Sequence, residues 1–599
     1  MSSRVYPANM EVFDSLKLHI TSDKFIVEPF AGHLKNPNVL VIDRVTQDIS
    51  LHDFVHGIPA SAITKSIYGI VGIIRLVAGP YLIVVTEREK VGHILNNVVW
   101  KVTKTELLCY KRSLAHLNER QITINKSYLS LMEVMLNTEH FYYSPTFDLS
   151  HTVQRLYNTS PEFTSLGFLE RADQRFIWNS HALTELSQQP ELSRFCLPMI
   201  LGYVSFNSIN VNGKTLEYVL VSRRSIYRAG TRFNVRGLDL QGQAANFVET
   251  EQIVMHGSDV CSFVQTRGSI PLFWTQKANL KRLPNPVVMD MDHMQAFQKH
   301  FDQQVYVYGN QVIVNLINQD GPEQVLEKKL AQVVTNAQNE NIRYEPFDFH
   351  KECKKMRWDR LSILMERLKP DMKKFGYFME LKGSVVKLQG GVFRTNCIDC
   401  LDRTNVVQSL IAKEILQEQL VKLGILRSEK ELQDQKVFDA VFKNVWADNA
   451  DVISKEYAGT GALKTDFTRT GKRTLFGALM DGYNSVIRYV KNNFQDGSRQ
   501  DAMDLFLGNY IVEENEGLTV KSPLESARDW KYYAVPVIFL VAFSMFMVSV
   551  LLPDEHLSEQ MLYVLFWGMA CFLTLATMLL FGAIFVDQPK LAQNKVKSD

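Results

Sequence analysis

Cysteine is scarce in this chain: seven in 599 residues, at Cys109, Cys196, Cys261, Cys353, Cys397, Cys400 and Cys571, with one close pair among them. Such scatter excludes a disulfide framework and suits reduced thiols facing the cytosol. Net charge is scarce as well, +2 from 66 basic and 64 acidic residues. No overall field selects nucleic acid or another polyanion, so attraction to anions must come from local clusters. No secretory leader is evident in residues 1–16, where Arg4, Glu11 and Asp14 interrupt any apolar run. With 46% hydrophobic and 22% charged residues, composition excludes both wholesale disorder and a polytopic membrane protein. The length exceeds the roughly 250 to 300 residues at which single cores stop growing, so two folded domains are expected.

What is present falls into blocks. Residues 20–112 hold short apolar runs (FIVEPF, VLVID, IYGIVGIIRLV, YLIVVTE, VVWKV) broken by turn signals such as Ala78-Gly79-Pro80, and they predict antiparallel strands. Helical spacing follows near 125–137 and 183–192, which gives a β-rich N-terminal domain over residues 1–190. FCLPMILGYVSF and TLEYVLVSRR predict strands joined by an Asn212-Gly213 hairpin turn, and QVYVYGNQVIVNLI a second hairpin about Gly309-Asn310. Helices are expected over 323–337 and 350–368. Residues 191–510 thus form a mixed α/β domain, and the polar stretch 511–531 a linker. As a coil that linker would span ~25 Å, or ~80 Å at full extension, so action on the host membrane is the default.

Two long uncharged runs follow, residues 532–552 and 561–586, each exceeding the ~20 residues that cross a ~30 Å hydrocarbon core as helix. Neither shows the polar face of a soluble core helix. Residues 553–560 between them, PDEHLSEQ, carry acids and no Lys or Arg, whereas Arg528, Lys531, Lys590, Lys595 and Lys597 lie on the outer flanks. The positive-inside rule predicts a two-helix hairpin with a lumenal turn and both flanks cytosolic. The tail, 587–599, ends Lys595-Val596-Lys597-Ser598-Asp599, the spacing of the dilysine signal that coatomer reads for retrieval to the endoplasmic reticulum. A solvated basic tail at an anionic surface is the plainer alternative.

The chemistry concentrates in GGVFRTNCIDCLDRTNVVQSLIAKEIL. An apolar strand end and a Gly pair precede Cys397, and a helix with Val406, Leu410, Ile411 and Ile415 on one side follows it. A strand-to-helix loop offers unpaired N–H groups and the positive end of a helix dipole, a ready anion site. With Arg403 six residues after Cys397, loop amides and a bidentate guanidinium can ring a phosphate while the thiolate sits behind its phosphorus. The same positive surroundings lower a thiol's pKa and supply nucleophile at neutral pH. Thr404 can assist the departing thiolate. Cys397-x-x-Cys400 also fits half a zinc site or a redox pair, but no second Cys or Cys/His pair stands at ligand spacing, and Asp399, Asp402 and Arg403 favour phosphoryl chemistry. Cys400 could still close a protective disulfide with Cys397.

The string from Arg394 to Asn405, RTNCIDCLDRTN, resembles the signature of the Sac-domain phosphoinositide phosphatases. So do Ser222-Arg223-Arg224 with Arg228-Ala229-Gly230-Thr231-Arg232, Val248-Glu249-Thr250-Glu251-Gln252, and the stretch from Arg267 to Trp274. The resemblance covers about residues 1–510. It implies an α+β architecture in which a β-rich N-terminal Sac-specific domain packs on a mixed α/β cysteine-phosphatase domain. It also implies hydrolysis of phosphatidylinositol monophosphates, chiefly the 4-phosphate with the 3-phosphate accepted, with neither metal nor cofactor. The hairpin and tail point to a membrane-integral member of the endoplasmic reticulum and Golgi.

On the substrate side, Arg223, Arg224, Arg228, Arg232 and Arg236 form a dense basic run, a candidate floor for an inositol phosphate; paired surface strand charges are the alternative. Lys464, Arg469, Lys472 and Arg473 form a second basic loop. The general acid is open between Asp399 and Asp402, each of which could instead brace the loop, with Asp448 a distant third. A lipid tether with an idle loop and a protein tyrosine phosphatase remain as rival functions.

Overall fold

The computed structural model describes residues 12–591 apart from 31–37, 54–56, 161, 164–165, 282, 355–356, 471–473, 527 and 553–556. Strands Leu16–Ile20, Lys24–Pro29, Val39–Asp43, Ile49–His52 and Ile63–Ile67 make a small antiparallel sheet. Period-two residues Leu16, Leu18, Phe25, Val27, Leu40 and Ile42 put one face into a core shared with Ile73, Leu82 and Val84 of the neighbouring sheet.

That second sheet has 13 strands. Its antiparallel part runs from Ile70–Leu76 through Gly79–Ile94, Asn97–Cys109, Phe141–Tyr143, Ile200–Val211, Lys214–Arg224 and Val248–His256 to Asp259–Arg267. The predicted Asn212-Gly213 turn is present, with Val211 opposite Lys214 and both turn residues at positive φ. Phe141 and Tyr142 pair with Leu201 and Ile200, so a single sheet joins the segments on either side of the boundary expected at residue 190.

Beyond Asp259–Arg267 the sheet turns parallel. That strand pairs with Gly391–Asn396, which pairs with Asn310–Asn315, which pairs with Ile342–Pro346. Parallel neighbours need crossovers, here the helices Gln324–Ala337 and Leu361–Phe375. Every residue of Gly391–Asn396 is buried, which explains the lack of polar alternation in that run.

Two local expectations fail. Val305 to Tyr308 alternate like a strand but end the helix His293–Tyr308, capped by Asp292 and buried through Phe297, His300, Phe301 and Gln304. The expected hairpin about Gly309-Asn310 is therefore a helix-to-strand junction, with Gly309 at φ 76°. The single helix expected over 350–368 is instead Phe349–Glu352 and Leu361–Phe375, the break closed by the Trp358 ring meeting Phe349 edge-on.

The C-terminal helices Lys531–Leu551 and Leu557–Leu580 are apolar on all sides and almost unburied, which suits a membrane and not a core. The second ends at Leu580, short of residue 586; beyond it Gly582 lies against the Asn279 backbone, where a Cβ would clash, and Phe585 and Val586 pack on Leu280. The expected polar linker is docked, not free. Glu516 is buried and accepts from Tyr128 Oη at 2.7 Å and Tyr510 Oη at 2.6 Å, and Glu525 pairs with Arg120 at 2.6 Å. Past the hairpin, Asp587 accepts from Ser498 N and pairs with Arg528, while Asp501 accepts from Lys590 N and Leu591 N.

Candidate active site

Cys397 follows Gly391–Asn396 at the carboxyl edge of the parallel strands, where open α/β sheets bind ligands, and the helix Asp402–Lys422 begins just beyond. Cys400, at φ 54°, bends the loop so that its N–H meets Cys397 Sγ at 3.0 Å. Thr404 Oγ1 donates to the same sulfur at 3.5 Å, and Cys400 Sγ lies 2.9 Å from Gly268 O. Burial alone would push the Cys397 thiol up. The Cys400 thiol, the Arg403 charge and the Thr404 hydroxyl outweigh it and bring the pKa down to about 6. Burial and the neighbouring thiol push Cys400 well up, so the two sulfurs are electrostatically unlike. All seven cysteines are unpaired.

Arg403 lends its charge to the thiol while its guanidinium is anchored by other groups. Its guanidinium meets both Glu323 carboxylate oxygens at 3.2 Å and donates to Leu316 O and Asn318 Oδ1. Asp399 is bracketed by two arginines: Arg232 Nη2 and Arg236 Nη2 each lie 2.7 Å from its carboxylate. Burial opposes ionisation there, but Arg232 and Arg236 prevail and hold the carboxyl far below the usual range. Asp402 differs. Burial raises its pKa against the pull of Arg488 and of the Leu463 N–H, which donates to it at 2.8 Å. It lines a cavity of about 160 Å³ with Arg403, Trp358, Lys464 and Thr468.

The arginine run is split by the fold. Arg223 is buried in the antiparallel sheet, paired with Glu249 at 3.0 Å and Glu251 at 2.8 Å; it is not on a substrate floor. Arg224 is equally buried and donates to Gly230 O and Glu456 O. Arg228 ties its own turn to Arg236 O and Gly237 O. Only Arg232 and Arg236 reach the loop, and they grip Asp399. Lys464 is exposed at the cavity mouth beside the Trp358 ring. Arg469 pairs with Asp448 at 2.6 Å, so that carboxylate is engaged by the second basic loop. Lys472 and Arg473 lie outside the described residues, as do Lys595 and Lys597 of the tail.

Three groups escaped the sequence reading. Arg267 and Arg394 are fully buried on adjacent parallel strands, Thr266 opposite Arg394. Arg394 donates to Gly268 O, the carbonyl that Cys400 Sγ also meets. Burial pulls both guanidinium groups down to about 10, opposed for Arg394 by Cys400 and for Arg267 by Cys400 and Cys397. Arg267 Nε and Nη1 have no hydrogen-bond partner among the described residues. Both arginines stood within the resemblance stretches but were given no role of their own. Glu323, which holds Arg403, carried no signal. Among the described residues, no three His, Cys, Asp or Glu side chains are grouped to hold a metal.

A thiol shifted toward thiolate, seated between a parallel strand and a helix N-terminus beside buried guanidinium groups, is an arrangement suited to holding an anion next to a nucleophile. Residues 68–354 match the SacI homology domain. The chain is 50% identical over 585 residues to phosphatidylinositol-3-phosphatase SAC1-A of Danio rerio, covering 97% of this chain and 99% of the relative. It is 44% identical to phosphatidylinositol-3-phosphatase SAC1 of Drosophila melanogaster, covering 97% of each, and 36% identical to that of Saccharomyces cerevisiae, covering 93% and 90%. The chain belongs to the SacI homology family of phosphoinositide phosphatases.

Proposed function

We propose that this chain hydrolyses phosphatidylinositol monophosphates, chiefly the 4-phosphate and also the 3-phosphate, to phosphatidylinositol through a phosphocysteine on Cys397. The observation that carries the proposal is the Cys397 thiol drawn down to about 6 in the loop before Arg403. The thiolate attacks phosphorus; an S–P bond forms, the P–O bond to the inositol breaks, and the leaving oxygen takes a proton. Asp402 supplies that proton, since burial favours its neutral form, whereas Asp399 is locked as a carboxylate and braces the loop. Water then cleaves the S–P bond, Asp402 receives its proton, and Thr404 stabilises the departing thiolate. Arg403 leaves Glu323 for the phosphate when substrate enters, where its fork and the loop amides hold the equatorial oxygens.

The site works on the cytosolic side of the endoplasmic reticulum and Golgi membranes, anchored by the hairpin with both chain ends cytosolic, and coatomer reads Lys595 and Lys597. The docked stretch between catalytic body and hairpin supports action on the host membrane over reach across a gap. The test is phosphate release by the full chain in vesicles across ring isomers, with Cys397→Ser and Arg403→Lys as controls. Release surviving in Cys397→Ser ends the nucleophile assignment. Release from phosphotyrosyl peptides but not lipids ends the substrate assignment.

A further inference from the structure

The helix Leu475–Phe494 is amphipathic in the wrong sense for a soluble protein. Leu475, Phe476, Leu479, Tyr483, Val486 and Val490 recur at helical steps and, at 3.6 residues per turn, share a stripe about 100° wide. All six face outward, between 40% and 81% exposed. The polar side is the buried one. Arg488, at 6% exposure, donates to Thr460 Oγ1, Ser454 Oγ and Gly461 O, and Asn492, at 2%, donates to Ala458 O and Asp496. A contiguous apolar stripe of this size marks an interaction surface.

Its position says what covers it. The C-terminal end of the helix is fastened to the base of the hairpin: Tyr489 Oη donates to Leu280 O at 2.7 Å, and Asp587 N donates to Asn493 O at 2.6 Å. Leu280 in turn packs on Phe585 and Val586, in a cluster that includes Val535 and Met578 of the two apolar helices. Trp530 and Tyr533, 69% and 61% exposed at the start of the first apolar helix, are amphipathic rings of the kind that sit at headgroup level. The helix that carries the stripe thus ends beside the base of the apolar hairpin. The polar side also reaches the reactive loop. Asn492 accepts from Arg232, which grips Asp399, and Asp481 accepts from Lys464 N at the cavity mouth.

We propose that Leu475–Phe494 is an interfacial docking helix, its apolar stripe lying in the headgroup–acyl boundary of the same bilayer that holds the hairpin, so that the mouth of the Cys397 loop is pressed against the lipid. The proposal rests on the hairpin spanning that membrane. To test it, the full chain is reconstituted in phosphatidylcholine vesicles containing phosphatidylinositol 4-phosphate, with an environment-sensitive dye on Leu479→Cys or Val486→Cys. Ala478→Cys, on the same helix but off the stripe, is the control, and the unsubstituted chain gives the native-cysteine background. We expect blue-shifted emission quenched by shallow spin-labelled lipid at 479 and 486, and aqueous iodide quenching at 478. Iodide quenching at all three positions in chains that float with the vesicles overturns the proposal while leaving the hairpin intact. Failure to float overturns the hairpin and the proposal together. A blue shift without lipid quenching that is lost on diluting the protein in the bilayer assigns the stripe to a second copy, and also overturns it. The triple change Leu475→Glu, Leu479→Glu, Val486→Glu alters only exposed positions. It should cut hydrolysis of vesicle-borne lipid at least tenfold and leave a water-soluble short-chain substrate unaffected; equal loss on both refutes the docking role.

Discussion

Titrating Cys397 with iodoacetamide, read on its own peptide by mass spectrometry, separates a nucleophile from a buried structural thiol. With a pKa of about 6, Cys397 is predominantly thiolate at neutral pH. An ordinary thiol near 8.5 would be about 3% ionised at pH 7. The rate itself is a blunt measure, since nucleophilicity falls with pKa at a Brønsted slope of about 0.4 to 0.5 and offsets much of the gain. The inflection is the sharp one. Cys196, Cys261 and Cys353 are raised by burial to about 12, 12 and 11, and Cys400 is raised well above its ordinary value. Replacing Cys400 with Ala removes the neighbouring thiol but keeps the backbone N–H at 3.0 Å. A hydrogen bond to a charged group contributes about 1.5 to 3 kcal/mol, or roughly one to two pK units, so the inflection should climb to about 7 to 8. Thr404→Val should move it less, because its hydroxyl stands 3.5 Å from the sulfur. A parent inflection at pH 8 or above, or one that ignores Cys400→Ala, would refute the electrostatic account of the loop.

Asp399→Asn leaves Arg232 and the buried Arg236 facing each other without their shared anion, so urea unfolding should show a loss of about 3 kcal/mol; an unchanged midpoint would mean the pairs do not hold the loop. Asp402→Asn should lower kcat on inositol lipid by about 10² to 10⁴ and act far less on p-nitrophenyl phosphate, whose leaving group needs no proton. Equal losses on both substrates would move the acid elsewhere. Arg223→Ala should cost about 3 to 5 kcal/mol of stability by stranding Glu249 and Glu251, with KM unaltered in the folded fraction. A raised KM at full stability would return Arg223 to the substrate.

The separation of Cys397 from Arg403, the strand and helix around them, the Asn212-Gly213 turn and the two apolar runs were all legible, because each is written in local spacing or in a run longer than a soluble element needs. The hairpin about Gly309-Asn310 was misread for the same reason: four residues of alternating Val and Tyr cannot be told from a helix end until Asp292 and the buried helical face decide it.

The arginine run shows where local information stops. Arg223, Arg224, Arg228, Arg232 and Arg236 look alike in sequence, yet the strand Lys214–Arg224 buries the first two against Glu249, Glu251 and backbone carbonyls, while the following turns carry only Arg232 and Arg236 to Asp399. The same holds for the two loop aspartates, equivalent as letters but shifted in opposite directions once Arg232 and Arg236 surround one and burial governs the other. By itself the sequence determined the strand-to-helix setting of the Cys397 loop and the two long apolar helices, since both are set by neighbours along the chain. Which charges support that loop, what holds Arg403 at rest, and how the helix Leu475–Phe494 turns its apolar side outward were decided only by tertiary structure, because burial and ion pairing join residues up to hundreds of positions apart.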